Sequence, residues 1–244
     1  MRASESNRAL ICPASLVLPR TPRTSAKRDD AAAFGTFVHY WAETGDSEPE
    51  WASESHKKTF RKKLAMTLID RNDWWPDGEG QHEVPFALHL LTLQVLRYSG
   101  QRDGGDAWKK AFNSEWLTGT VDWVGTKDGW TWVDDLKTGA WPVDAATSGQ
   151  LRSYALPVWV EEGCPAEWNA YLSITQWPKY KLDGEPVRTG VWVTGFDMRE
   201  HLDALRWASE HPEEVTASEE GCMFCECKPL CPAHIDDNVS MEDL

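Results

Sequence analysis

The chain has 244 residues, 41% of them apolar and 26% charged, with 39 acidic against 25 basic side chains and a formal net charge of −14. This size and balance fit one large domain, or a domain with an appended module, and exclude wholesale disorder. The sequence has no run of about 18 apolar residues, which excludes a helical membrane span, and its acidity excludes a generally basic nucleic-acid coat without excluding a local site.

The N-terminal stretch Ala9–Leu18 is only mildly apolar and is interrupted by Pro13. A signal peptide needs a cleaner apolar core and a small-residue cleavage site, so a cytoplasmic location is expected. Residues 1–28 carry six Lys/Arg against Glu5 alone, and KKTFRKK at 57–63 adds five more positives. Residues 197–244 carry 13 acids against three Lys/Arg, so the basic N-terminal third is the part expected to face a polyanion. KKTFRKK reads equally well as a solvated helix face.

Asp29 or Asp30 is placed to cap a helix through AAAFGTFVHYWAE that stops near Gly45, and a basic amphipathic helix follows over 54–70. Trp74-Trp75-Pro76 and the Gly78/Gly80 pair break the chain. Strands are predicted at 82–88, 115–125 and 130–137, the last two joined by a hairpin turn at GTKDGW. A helix over 143–161, strands at 167–176 and 187–194 and a helix over 198–210 lead into a Cys-rich end. The order implies an α/β fold with a mixed sheet flanked by helices. It divides into an N-terminal segment (1–28), a helical region (29–75), a core (82–195) and a C-terminal helix with its cysteines (197–244), all within one domain.

TWVDDLKTGA carries the most chemical information. On a strand, residues two apart share a face, so Asp135 and Lys137 project together and Asp134 projects the other way. The preceding GTVDWVG holds Asp122 among apolar neighbours, where an Asp needs compensation. If the hairpin pairs, Asp122 and Asp135 converge, and two such carboxylates call for a cation between them; oxygen ligands suit Mg²⁺ or Mn²⁺. A surface ion pair is the alternative for Asp135 and Lys137.

GTVDWV followed by VDDLKTG resembles the PD-(D/E)XK nuclease core, and more closely its RecB-like branch, where a G-x-x-D strand precedes D-x-K-T-G. GTFVHYWAE resembles that branch's G-x-x-x-H helix, which would bring His39 to the metal. Gln150 to Tyr154 resembles its Q-x-x-x-Y helix, and Glu83 in EVPF resembles an acidic position on the strand before G-x-x-D. Without the resemblance His39 is equally a buried core histidine, Gln150 and Tyr154 an ordinary polar pair, and Glu83 a surface acid.

The resemblance implies a restriction-endonuclease-like core that hydrolyses DNA, as an exonuclease. Asp122 and Asp135 would bind Mg²⁺ or Mn²⁺, with His39 and the Leu136 carbonyl assisting. Lys137 would hold or activate the attacking water, and Gln150 and Tyr154 would steady the lysine or contact the strand. DNA with single-stranded ends is the implied partner, and with no room for a helicase the chain would act alone or beside recombination, repair, phage or CRISPR adaptation proteins. A non-catalytic nucleic-acid-binding or assembly module of the same fold is the other reading.

At the far end, GCMFCECKPLCPAH spaces Cys222, Cys225 and Cys231 as C-x₂-C-x₅-C, with Cys227 between them. A soft-metal site wants a fourth ligand: Cys227 or His234 for a local zinc knuckle, or the distant Cys12. Nucleases of the AddB type and the CRISPR-associated adaptation nuclease place one Cys before the nuclease motifs and such a triplet after them, around a [4Fe-4S] cluster. The resemblance therefore implies that Cys12, Cys222, Cys225 and Cys231 hold a cluster that staples the two ends together, with zinc as the alternative. Cys164 is expected to be a non-ligand. Of the 15 Trp, Trp123, Trp132, Trp159, Trp192 and Trp207 are expected in the core, and Trp74, Trp75 and Trp141 in loops where they could stack on unpaired bases.

Overall fold

The computed structural model describes residues 1–21, 26–67, 75–76, 78–97, 112–139, 142–176, 187–223 and 225–235. Arg23, Trp74, Lys109, Lys110 and Trp141 lie outside the described residues, and only the backbone of Lys27, Arg28 and Lys63 is described.

Six strands form one mixed sheet in the order β2-β1-β3-β4-β5-β6. They are β1 (Glu79–His89), β2 (Val95–Arg97), β3 (Trp116–Lys127), β4 (Trp130–Lys137), β5 (Asn169–Gln176) and β6 (Val187–Thr194). Every neighbouring pair is antiparallel except β4 and β5. A parallel pair needs a long crossover, and α4 (Gly149–Glu161) provides it. The remaining helices are α1 (Ser6–Ile11), α2 (Ala26–Thr44), α3 (Glu54–Thr67), α5 (Gly195–Glu210), α6 (Glu219–Met223) and α7 (Pro232–Ile235).

The two sides of the sheet are covered differently. Val133 of β4 joins the main core with Leu151, Tyr154 and Trp159 of α4 and Leu202 and Leu205 of α5. Leu136, three residues on, joins the other cluster, with Phe37, Val38 and Trp41 of α2 and Phe60 of α3. Phe60 meets Phe37 and Trp41 edge-on, both at 4.9 Å, and each such ring pair contributes about 0.5–1.5 kcal/mol beyond area burial. The period-two alternation of β4 thus anchors α2 on one side and α4 on the other, and both helices carry candidate site residues.

Several element boundaries differ from the sequence reading. The α2 helix begins at Ala26, so Asp30 lies inside it and is not its cap. Ser148 caps α4 by accepting from the Leu151 N–H, which leaves Ala145–Thr147 as a separate 3-10 turn. Thr194 and Asp197 form a capping box that starts α5 at Gly195, three residues before the predicted Met198. Gly80 does not break the chain: it sits in β1 because the Trp123 indole crosses it, where a Cβ would lie 2.3 Å from Trp123 Cε2. The β3–β4 turn is the expected two-residue hairpin, with positive φ at Asp128 and Gly129. The short edge strand β2 was not foreseen; Arg97 at its end forms a two-pronged pair with Glu161 of α4.

The tryptophans also divide. Trp123 and Trp159 are buried as expected, but Trp192 and Trp207 are 56% and 48% exposed. Trp192 lies on an edge strand, where it meets Trp130 edge-on and Tyr171 at a tilt across an open sheet face. Trp75 is not a free loop ring: its Nε1–H donates to the Ala42 carbonyl and it packs against the α2–α3 cluster. Among the described residues no helix is long and apolar enough to cross a membrane.

Candidate active site

Three acidic residues share one rung of the sheet. The pairs His82–Trp123 and Val84–Val121 bracket Glu83 opposite Asp122, and the Trp123–Asp134 pair puts Asp135 one step on, opposite Asp122 from the other side. Acids directly opposite one another on neighbouring strands repel, so this arrangement needs positive charge nearby. Glu83 takes a φ of 50°, a conformation a long side chain rarely adopts and one that costs about 1–3 kcal/mol. That strain is spent at the point where the β1–β3 pairing is interrupted to bring a carboxylate inward.

The Asp122 side chain also replaces a ladder bond. Its Oδ2 accepts from the Leu136 N–H at 2.7 Å, just where the regular β3–β4 pairing ends. The Leu136 side chain points away into the α2–α3 cluster. A strand residue's N–H and C=O face the same edge, so the Leu136 carbonyl opens into the gap beside Asp122. The role of the Leu136 amide was not foreseen; a backbone donor leaves no mark in the residue pattern.

Positive charge comes from two elements. On α2, His39 Nδ1 lies 3.5 Å from Asp122 Oδ1 and 3.6 Å from Glu83 Oε1. Burial pulls its pKa down, but Asp122 and Glu83 outweigh it and raise the imidazole to about 10. On β4, Lys137 Nζ lies 2.7 Å from Asp135 Oδ2 and donates to Gln150 Oε1 at 3.1 Å. Burial opposes its charge, yet Asp135 and Asp122 hold the ammonium above its ordinary range. Gln150 Nε2 in turn donates to the Tyr154 hydroxyl at 2.6 Å, so the i, i+4 pair on α4 acts as a relay that fixes the amide. Burial raises the Tyr154 phenol well above its usual value.

The carboxylates respond in opposite ways. Burial raises Asp122, but His39, Lys137 and the Leu136 amide more than offset this and hold it below the ordinary carboxylate range. Asp135 is pushed up to about 6 by burial, against the pull of Lys137 and with the help of Asp122. The structure therefore brings together His39, Glu83, Asp122, Asp135, Lys137, Gln150 and Tyr154. Within that set, one ligand atom each from His39, Glu83 and Asp122 lies within 4.8 Å of the others. Glu83 belongs to this trio, while the carboxylate of Asp135, the other acid expected at the metal, lies against Lys137. An imidazole nitrogen with two carboxylates, one of them held in a strained backbone, is a donor set that fits a divalent cation.

A separate cavity of about 320 Å³ is lined by Cys12, Cys222, Cys225, Cys231 and His234, among others. The Cys12 sulfur accepts from the Thr216 N–H at 3.5 Å. Cys227 also reaches this cavity but is fully buried, and its thiol donates to the Leu18 carbonyl at 3.5 Å and the Ser15 carbonyl at 3.8 Å. Burial and the neighbouring Cys225 push that thiol up. Cys164 lies in the turn after α4, outside the cavity lining.

No curated protein matches the chain. Among solved structures, one described as the crystal structure of SSO0001 aligns over 96% of this chain and 86% of its own, at 11% identity and a TM-score of 0.42. A family model described as the PD-(D/E)XK nuclease superfamily matches residues 3–232, a span that holds every residue of the rung, both helices that complete it and all six cysteines, and the chain belongs to that superfamily.

Proposed function

We propose that the chain is a divalent-cation-dependent DNA exonuclease of the RecB-like branch, with a [4Fe-4S] cluster at its cysteine-lined end. The observation that carries the cleavage reading is the rung itself, with three acids, a histidine beside two of them, and a lysine held between the third and a glutamine. His39, Glu83 and Asp122, with the Leu136 carbonyl, would hold a Mg²⁺ or Mn²⁺ ion, which would supply Lewis-acid charge at the scissile phosphate. The imidazole favours Mn²⁺, since Mg²⁺ prefers an all-oxygen shell.

The side chains divide the remaining work. Asp135 and Asp122 stabilise the Lys137 ammonium, which donates hydrogen bonds. In that form it orients the attacking water and stabilises negative charge as it builds on the phosphate oxygens, a contribution of the kind worth about 10²–10³ in rate. Asp135 fixes the ammonium from one side and Gln150 from another, with Tyr154 holding the amide.

At the cysteine end, Cys12, Cys222, Cys225 and Cys231 are the proposed cluster ligands, and Cys227 is a buried clamp. The sulfurs surround a cavity of about 320 Å³.

The test uses anaerobically purified protein with end-labelled linear and circular single-stranded DNA, in Mn²⁺, Mg²⁺ or EDTA. Linear DNA should be degraded with either metal, while circular DNA and the EDTA sample stay intact. Asp135→Ala and Lys137→Ala should abolish the activity. Full activity in both variants overturns the site, and cutting of circles overturns the exonuclease reading.

A further inference from the structure

The N-terminal segment supports the proposed catalytic lysine from behind. Asn7 lies on α1, and its Oδ1 accepts from the backbone N–H of Gln150 at 3.1 Å. Gln150 is the second residue of α4, so its N–H is one of the four that no carbonyl within the helix can reach. Ser148 serves the Leu151 N–H at 3.2 Å, and Asn7 serves Gln150 from 143 residues away. The approach is close: a Cβ at Gly149 would lie 2.6 Å from Asn7 Oδ1 and 3.2 Å from Leu10 Cδ1, so any larger residue there would displace the Asn7 side chain.

The same Gln150 carries the amide that accepts from Lys137 Nζ at 3.1 Å. We infer that Asn7 is a positioning residue, which fixes the first turn of α4 and, through Gln150, the direction of the Lys137 ammonium. The inference rests on Lys137 acting in cleavage as proposed above.

The segment that carries Asn7 is itself held at its other end by the C-terminal region. The Ala14 N–H donates to the Glu214 carbonyl and the Thr21 N–H to the Glu226 carbonyl, both at 2.9 Å, and the Cys227 thiol donates to the Leu18 carbonyl. Cys12 directly follows α1, and its N–H closes that helix on the Arg8 carbonyl at 2.8 Å. A continuous run of contacts therefore leads from the cysteine-lined cavity through α1 and Asn7 to Gln150 and Lys137.

The test compares Asn7→Ala, Asn7→Asp and Gly149→Ala with the native chain, with Lys137→Ala in parallel, under single-turnover and steady-state conditions. Asn7→Ala leaves the Gln150 N–H unserved, and a lost hydrogen bond of this kind corresponds to about a three- to tenfold fall in kcat. KM and the DNA affinity measured in EDTA should stay within about twofold, since the inferred role of Asn7 runs through Gln150 and not through the substrate. Asn7→Asp should restore kcat, because a carboxylate accepts the same N–H and suits a helix N-terminus. Gly149→Ala should repeat the loss by pushing Asn7 off, which keeps the inference testable if Asn7→Ala folds poorly. Native kcat in both Asn7→Ala and Gly149→Ala overturns the inference, as does equal loss in Asn7→Ala and Asn7→Asp. If Lys137→Ala is inactive while those variants are native, only the Asn7 inference falls. If Lys137→Ala is fully active, the proposed site falls and the inference with it.

Discussion

Asp134 gives a stability prediction that is independent of cleavage. Its side chain is fully buried and faces away from the rung. Ser173 Oγ donates to its Oδ1, Thr175 Oγ1 donates to the same oxygen at 3.1 Å, and Arg188 Nε lies 3.7 Å off. Its other oxygen, Oδ2, has no hydrogen-bond partner among the described residues. Burial raises this carboxyl to about 7 from an ordinary 3.8; Ser173, Arg188 and Thr175 pull back only part of the rise, and Asp135 adds to it. The folded value lies above the unfolded one, so the stability from this group is full below about pH 4 and is lost as the pH climbs through 7. At 1.36 kcal/mol per pH unit the loss is about 4 kcal/mol at pH 8 and about 2 kcal/mol at pH 5.5.

Asp134→Asn keeps an oxygen for Ser173 and Thr175 and removes the titration. Its amide nitrogen takes the place of the unpartnered oxygen, at a cost of about 1–3 kcal/mol. The variant should therefore be about 2 kcal/mol more stable than the native chain near pH 8, which is roughly 4–8 °C in Tm for a chain of this size. Near pH 5.5 the two should be about even. Thermal melts in EDTA from about pH 5 to pH 8 read the difference directly. A gap that does not widen with pH, or a variant less stable at pH 8, refutes the buried-carboxylate reasoning.

Other expectations concern the rung and the cysteine cavity. Mn²⁺ at about a hundred times its Kd should stabilise the chain by about 2.7 kcal/mol, or roughly 5–10 °C in Tm. Asp122→Asn, which keeps an acceptor for the Leu136 amide, should lose that response; an unchanged response in the variant counts against the trio. Glu83→Asn, which tolerates positive φ and removes one of the opposed acids, should melt a few degrees higher in EDTA and be inactive. A lower melting point would show that the strain is not stored there. Cys227→Ser should keep its iron and inorganic sulfide while Cys225→Ser loses both, and the reverse result would make Cys227 the ligand.

How much of this was legible in the sequence depends on how local each cause is. The strands β3 and β4 and their turn were readable because the alternation, the Asp-Gly turn and the burial of Val133 all lie within one hairpin. Asp122, Asp135 and Lys137 were readable because strand periodicity fixes which side chains share a face, whereas His39, Glu83, Gln150 and Tyr154 were readable only through the resemblance to the nuclease core. What escaped reading is set by distant partners. Gly80 belongs to a strand because of Trp123, and Glu83 joins the cation trio because of a backbone angle. The exposure of Trp192 follows from its place on an edge strand, which its own neighbours do not reveal. The Cys227 alternatives were equal by spacing, and only the Ser15 and Leu18 carbonyls distinguish it from its neighbours.

The basic N-terminal third needs the same correction, and it bears on how a chain of net charge −14 meets DNA. Several of its cations are already matched by acids. Arg20 pairs with Glu5 at 2.8 Å, Lys57 is buried against Glu54 at 3.1 Å, and Arg61 lies 3.4 Å from Glu48 and 3.9 Å from Glu54. Exposed pairs of this kind add little stability, but they cancel the field a polyanion would feel at a distance. Lys58 and Lys62 remain exposed on α3. Among the described residues long-range attraction is therefore reduced, and in the metal-free protein the short-range positive charges are His39 and Lys137, which hold their charge against burial. The acids that hold them there also repel the phosphate until a cation neutralises the rung. Affinity for DNA should then depend on the cation as strongly as cleavage does, and Asp122→Asn, with one acid fewer, should bind DNA in EDTA more tightly than the native chain while failing to cut it. Equal or weaker binding by that variant would show that the carboxylate rung does not govern the approach of the strand.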